Sequence, residues 1–515
     1  MKRKIYSLIF VLFIFPAFVF AQVSDAKLAE IDAYAQRVMN DWHQPGMAIA
    51  IVKDGKTVFA KGYGAREIGK PEKVDVNTLF AIASNSKAFT TAALSILIDE
   101  GKIGGWDDPV SKYLPGFQLY DPYVSESLTI RDIVSHRVGL DTFSGDLLWY
   151  ETTYTNDEIL NRVKFLKPVR GFRTGFGYQN LMFIAAGKII ENVSGMKWQD
   201  FIRARILNPL GMTGVKTSVR DYKTGDNVAV PHNESGGKLR ALPQGIVDGA
   251  AGAVRINASV SDLSKWLRLQ LAMGEFEGKR IYSEKNAWEM WQPAVILPIS
   301  MAAAKAIPTR HFNTYALGWN TFDYQGKKIV THGGGLDGML SKTVLIPEDK
   351  LGFVVLTNSE FPVYNIMQQK MLDVFTDAPV RDYNAEALKR DEGGKKAAAE
   401  EINKTDAARV MNTKPSLAIA DYAGKYFDRL YGDATVTEEN GKLVLRFIQS
   451  PNFVANLEHW NYDTFQIKWR PSVSYNFPRG FVTFTIDKNG KTDQMKIDQP
   501  NSDFWFYELD FHRSK

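Results

Sequence analysis

Apolar and polar positions follow two different periods along this chain. Leu28, Ile31, Ala35, Val38 and Met39 recur at helical spacing and predict an amphipathic helix over 27–42. The runs 48–52 and 57–60 then flank Asp54-Gly55, a two-residue hairpin signal. From 86 onward the pattern is mainly helical, with helices predicted at 88–98, 129–135, 156–163, 179–191, 198–207 and 261–273. It then returns to strands at 328–331, 339–347 and 352–358, followed by a helix at 363–375. Strands at both ends with helices between them predict one antiparallel sheet built from distant segments and covered by helices, an α/β (α+β) architecture. Residues 378–414 are rich in alanine and mixed charge, contain Gly393-Gly394, and read as a linker that is helical in part. Beyond Pro415 the texture is all-β. Asn440-Gly441 and Asn489-Gly490 each join alternating runs, and Trp460, Trp469, Phe484, Trp505 and Tyr507 supply bulk for a small barrel or sandwich.

Residues 1–21 add a targeting signal: Lys2-Arg3-Lys4, an apolar run over 5–20, and Val19-Phe20-Ala21 as a small-residue cleavage site. The run is interrupted by Pro16 and falls short of the roughly 20 residues a spanning helix needs. The mature chain is therefore expected to be exported, periplasmic or secreted, with no stable membrane insertion once the signal is removed. Its loss takes three basic residues and lowers the net charge from +5 to +2, which gives no footprint for nucleic acid. The chain has no cysteine, which excludes disulfides, thiolate metal sites, a cysteine nucleophile and a lipid-modified anchor.

Against this background one tetrapeptide carries chemistry, Ser84-Asn85-Ser86-Lys87 at the start of an apolar helix. Helical spacing puts Ser84 and Lys87 on one face, with the amine in reach of the hydroxyl. A lysine whose pKa is lowered by burial can take the serine proton, and the helix start offers N–H groups to an oxyanion. The same spacing at Ser24–Lys27, Ser194–Lys197 and Ser235–Lys238 falls at the mature N-terminus, a helix end and a polar loop. Tyr178-Gln179-Asn180 opens a second apolar helix. A phenol near a lysine cation is expected to have a lowered pKa and serve as a general base, with Asn180 free to bind an amide. His332-Gly333-Gly334-Gly335 follows the strand 328–331 and lets a substrate approach the backbone. The run Gly333-x-Gly335-x-x-Gly338 also fits a dinucleotide fingerprint, but a strand rather than a helix follows it. His136 beside Ser135 reads as a helix end and turn. No Gly-x-Ser-x-Gly elbow or His-Glu-x-x-His is present, so neither a metal nor a cofactor is expected.

In this order the three motifs resemble those of the serine β-lactamase-like hydrolases, the branch of class C β-lactamases, D-Ala-D-Ala carboxypeptidases and D-aminopeptidases. The resemblance spans 26–375 and includes Pro45-Gly46-Met47-Ala48, Ser135-His136-Arg137-x-Gly139-Leu140, Asn208-Pro209-Leu210-Gly211-Met212 and Leu317-Gly318-Trp319. It implies a β-lactamase/transpeptidase-like domain over 22–377, the linker 378–414, and over 415–515 a lipocalin-like barrel of the kind appended to many of these enzymes. It implies Ser84 as acylated nucleophile, Lys87 as its activator and Tyr178 as base and later proton donor. Asn180, His332, Gly333, Gly334 and Gly335 would bind substrate, the Ser84 and Gly335 N–H groups forming the oxyanion hole. Histidine where the β-lactamases carry Lys-Thr-Gly points away from β-lactams to small D-amino-acid peptides, of carboxypeptidase or aminopeptidase type. An esterase, a weak β-lactamase and a non-catalytic penicillin-binding sensor are the alternatives on the same scaffold. The partner expected is a small-molecule or peptide substrate.

Overall fold

The computed structural model describes residues 23–514; the export signal over 1–21 lies outside the described residues. An eight-stranded antiparallel sheet forms the centre. Its strands are β1 (Gly46–Lys53), β2 (Lys56–Gly64), β3 (Val295–Ile296), β4 (Asn313–Tyr315), β5 (Asn320–Tyr324), β6 (Lys327–Leu336), β7 (Met339–Ile346) and β8 (Leu351–Thr357). Their spatial order is β2-β1-β8-β7-β6-β5-β4-β3, so β1 from the beginning of the chain pairs with β8 from the end of the domain. Both faces are covered. Ala48, Ala50 and Val52 of β1 join one core with α2 (Ser86–Asp99), α3 (Asn180–Ser194) and α4 (Val260–Leu271). Met47, Ile49 and Ile51 join a second core with α1 (Asp25–Asp41) and α5 (Val363–Thr376). This two-sided burial is why the run 47–52 is apolar throughout instead of alternating.

The third motif differs from its sequence expectation. The strand does not stop at Thr331; β6 continues through His332 and the three glycines to Leu336, paired with β7. Glycine lacks strand propensity, but tertiary pairing overrides it, because register here is set by the hairpin at Asp337-Gly338.

Between the sheet domain and the tail, residues of the expected linker form α6 (Tyr383–Ala407). Its first turn is anchored on α1 through Asn384, which accepts from Trp42 Nε1 at 2.8 Å and donates to Asp41 at 2.6 Å. The tail is a closed antiparallel barrel of eight strands, β9 (Gly424–Asp428), β10 (Gly432–Glu439), β11 (Lys442–Phe447), β12 (Val454–Asn461), β13 (Thr464–Trp469), β14 (Gly480–Ile486), β15 (Thr492–Asp498) and β16 (Phe511–Arg513). Asn440 (φ 51°) and Gly441 (φ 76°) make the β10–β11 turn with two left-handed residues, as an Asn-Gly hairpin requires. Closure leaves no free sheet edge, and aromatic side chains including Phe447, Phe465 and Phe484 are buried in the core. The barrel lies against the helical part of the first domain. Tyr154 donates to the Tyr431 carbonyl at 2.5 Å and Arg162 to that of Leu430 at 3.0 Å. Among the described residues no helix is long and apolar enough to cross a membrane.

Candidate active site

The Ser84 turn is stitched in from both sides. Ala83, just before it, holds a left-handed φ of 45° without being glycine, a strained geometry of the kind that collects at functional sites. Asn85 donates to Ser341 Oγ at 2.8 Å, and Ser341 donates to the Ile82 carbonyl at the same distance, tying the turn to β7. Lys87 follows on the first turn of α2 with no exposed surface. Its ammonium donates to Ser84 Oγ at 3.0 Å, Asn180 Oδ1 at 2.6 Å and the Ala253 carbonyl at 3.3 Å. Among the described residues no carboxylate touches it. Burial pushes its pKa down to about 7, opposed only by the field of Asp146, so near neutral pH a large share of Lys87 carries a free amine.

Tyr178 lies beside this pair, its ring centroid 4.8 Å from the lysine nitrogen. The expectation of a lowered phenol pKa is not met. Burial drives it well above its usual value, and the nearby Ser84 hydroxyl only partly offsets this. A buried phenolate would lose its water, and the field of Asp146 opposes its charge further. At rest the free base is Lys87, and Tyr178 holds a proton.

Asn180 is brought to the same point but is already engaged. Its Oδ1 accepts from Lys87, and its Nδ2 donates to Asp146 Oδ2 at 2.6 Å, leaving one N–H for a substrate. Asp146 is the residue that sequence reasoning missed. It is 3% exposed, its pKa is raised to about 8 by burial, and it stands 34 positions before Asn180 with no motif around it. His332 is fully desolvated and its pKa falls to about 3, by burial first and the lysine's charge second. Its Nδ1 lies 2.6 Å from the Gly333 carbonyl, which can only accept, so Nδ1 carries the proton and Nε2 accepts from Tyr315 at 2.9 Å. His136 is indeed a turn residue, with φ 60°, yet it does more. It accepts the Gln179 N–H at 2.9 Å, and its ring lies 4.2 Å from that of Tyr178.

The glycines supply the opposite wall. β5 begins at Asn320, opposite Thr331, so beyond Thr331 the outer edge of β6 has no strand beside it among the described residues. Counting back from Leu336–Met339, which closes a two-residue turn, Gly333 and Gly335 fall at positions that do not bond to β7. Their N–H and C=O groups face the open edge. Gly334 has a steric reason to be glycine. A Cβ there would drive into the Ile82 carbonyl oxygen and lie 2.5 Å from Ser341 Oγ. Gly334→Ala should therefore push β6 off the serine turn. The expected result is an acylation rate lower by about 10²-fold, with a stability loss of about 1–3 kcal/mol. Stopped-flow acylation and a thermal melt measure the two.

Ser84, Tyr178, Asn180 and His332 to Gly335 all line one cavity of about 680 Å³. Its far wall holds Asp337 and Glu360 together with Tyr475, Asn476, Asp503 and Phe504 of the barrel, and no lysine or arginine lines it. Burial raises the Asp337 pKa to about 7, and the fields of Glu151, Glu360 and Asp503 add to the rise. Burial also raises the Glu360 pKa, and the field of Arg240 partly opposes it. The arrangement suits acyl transfer: a desolvated amine on a hydroxyl, a protonated phenol, and free strand-edge N–H groups in one water-accessible cleft.

A family model described as Beta-lactamase matches residues 31–372, and one described as Domain of unknown function (DUF3471) matches 408–513. Unguisins hydrolase ungD' of Aspergillus campestris (strain IBT 28561) is 31% identical over 443 residues, covering 80% of this chain and 77% of that protein. Protein flp of Staphylococcus aureus (strain NCTC 8325 / PS 47) is 28% identical over 335 residues, 64% of this chain and 62% of its own length. Among solved structures, the octameric penicillin-binding protein homologue from Pyrococcus abyssi superposes with a TM-score of 0.61 at 20% identity, over 94% of this chain and 100% of that one.

Proposed function

This chain belongs to the Beta-lactamase family and is a serine hydrolase; from that premise we propose that it is exported and hydrolyses small peptides or amides of D-configured residues through an acyl-enzyme on Ser84, holding them by a free amino end. The observation that carries the mechanism is Lys87, desolvated, unpaired with any carboxylate and 3.0 Å from Ser84 Oγ. Its neutral amine takes the serine proton as Oγ attacks the carbonyl carbon. The developing oxyanion is held by the Ser84 and Gly335 N–H groups. As the C–N bond breaks, Tyr178 gives its proton to the leaving amine and is reprotonated from the Lys87 ammonium. Water then attacks the ester, passing its proton to the same pair and restoring Ser84.

The substrate reading rests on the lining of the cleft. With His332 neutral and glycine at 333, the third motif offers no cation and no hydroxyl to a substrate carboxylate. Asp337, Glu360 and Asp503 instead bring three carboxyl groups to the same space; burial raises the pKa of the first two, and a bound ammonium group would favour their charged forms. The relative named as a hydrolase of unguisins supports hydrolysis as the reaction.

Intact-mass analysis with a fluorophosphonate should give one adduct, absent from Ser84→Ala; a folded wild-type protein that takes none would overturn the mechanism. Among substrates, a D-alanyl anilide with a free amine should show kcat/KM about tenfold or more above its N-acetyl form, and Asp337→Asn should narrow that ratio. Equal rates for the two anilides would refute the amino-end reading and leave the acyl-enzyme standing.

A further inference from the structure

On the face of the sheet that packs on α5, away from Ser84, a second cavity of about 490 Å³ lies beside β5, β6 and β7. Its charged lining residues are Arg310, Lys342 and Arg390, and no aspartate or glutamate joins them. Arg390 is paired with Glu386 at 3.6 Å; Arg310 and Lys342 make no ion pair among the described residues, and the field of Asp323 reaches Arg310 without contact. The Arg310 Nε and Nη2 atoms are buried and have no hydrogen-bond partner among the described residues. The guanidinium lies 3.9 Å over the Phe322 ring, and the Lys342 ammonium 5.3 Å from the ring of Tyr364. Aromatic faces attract a cation but leave its N–H groups unsatisfied.

An unpaired buried charge is costly, and a protein relieves it by neutralising the group or by supplying an opposite charge. Lys342 has gone part of the way. Burial first and the field of Arg310 second lower its pKa to about 8. A guanidinium has no such route, because it does not deprotonate in proteins. A guanidinium with two unpartnered donors and an ammonium line a cavity large enough for several heavy atoms, the side-chain chemistry that receives an oxyanion.

We propose that this cavity binds a small oxyanion, a carboxylate or phosphate group, between Arg310 and Lys342. The place matters for the enzyme. Lys342 pairs with Gly333 across the β6–β7 ladder, and a Cβ on Gly333 would lie 3.2 Å from its ammonium nitrogen. Asn320 lines both this cavity and the one that holds Ser84. A bound anion thus sits directly behind the strand edge that faces the nucleophile. It is either a free ion or the carboxylate end of a peptide that passes Asn320.

Isothermal titration of the mature full-length protein with inorganic phosphate, at ionic strength held constant with chloride, tests the site. One saturable equivalent is expected, and Arg310→Met and Lys342→Met should each weaken it about tenfold or more. Arg310→Met should melt no lower than the wild type without phosphate, and should lose the phosphate-dependent rise in Tm. Absence of saturable binding, or unchanged affinity in both variants, would overturn the proposal. Fluorophosphonate labelling of Ser84 in Arg310→Met should keep its wild-type rate, so failure here and failure of the hydrolase reading are separate results. The source follows from a D-peptide free acid and its C-terminal amide. Loss of kcat/KM in Arg310→Met for the acid alone, with competitive inhibition by phosphate, identifies the substrate's own carboxylate. Equal responses of both peptides identify a free anion.

Discussion

Lys87→Met should lower the rate of Ser84 acylation by about 10²–10⁴-fold, the range general-base catalysis supplies, while leaving the fold intact. Methionine fills the same buried space without a charge that must be desolvated. The pH profile is the more discriminating readout. Only the unprotonated amine can accept the serine proton, and Lys87 has a pKa of about 7. Acylation in the wild type should therefore fall as pH drops through neutrality and level off above it. In the variant this acid limb should disappear with the rate. Because Lys87 and Asp146 are linked through the two ends of the Asn180 amide, the limb reports the pair rather than one group. Burial raises the Asp146 pKa to about 8, so this group is largely protonated where Lys87 titrates, and Asp146→Asn should leave the acid limb near its wild-type position. A wild-type acylation rate in Lys87→Met, or an acid limb that persists in that variant, would assign the base elsewhere.

The parts of this site that were legible in the sequence share one property: their partners are close along the chain. Ser84 and Lys87 meet because three residues make nearly one helical turn, and Tyr178 and Asn180 fall together at the start of α3 for the same local reason. The barrel announced itself through Asn-Gly turns, each of which fixes its own hairpin. Other features depend on distant partners and left no local trace. The expected strand stopped at Thr331, before the glycines of β6, because their strand conformation is imposed by β7. The Tyr178 proton was misread because motif spacing conveys the nearby lysine but not the burial that raises the phenol pKa. Asp146 was invisible for a third reason. Nothing near it resembles a motif, and the loop that carries it is fixed by residues more than 360 positions away.

Those distant residues make the barrel part of the catalytic apparatus, and a double substitution there should be the second most damaging change. Glu508 accepts from the Ser144 hydroxyl and from the Gly145 N–H at 2.8 Å, while Trp505 Nε1 donates to the Thr142 carbonyl at 2.5 Å. The loop they grip holds Asp146 next to Lys87, and it brackets Tyr178. Thr142 Oγ1 accepts the Tyr178 N–H at 3.1 Å, and the Phe143 N–H donates to the Tyr178 carbonyl at 2.8 Å. Glu508→Ala with Trp505→Ala should therefore let both groups drift, and a displacement of about 1 Å costs about 10²-fold in rate. The loss should appear mainly in kcat, since the cleft wall formed by Tyr475, Asn476, Asp503 and Phe504 stays in place and KM depends on it. Rates are to be normalised to active sites counted with a fluorophosphonate, so that a partly unfolded sample does not imitate the effect. Glu508→Gln keeps an acceptor for Gly145 and a donor for Ser144, and should recover most of the activity. A normalised kcat that matches the wild type in the double variant, whatever its Tm, would reduce the barrel to a wall of the cleft. The expected loss in kcat, with recovery in Glu508→Gln, would give it a second task, holding the loop from which Asp146 and Tyr178 act on Ser84 and Lys87.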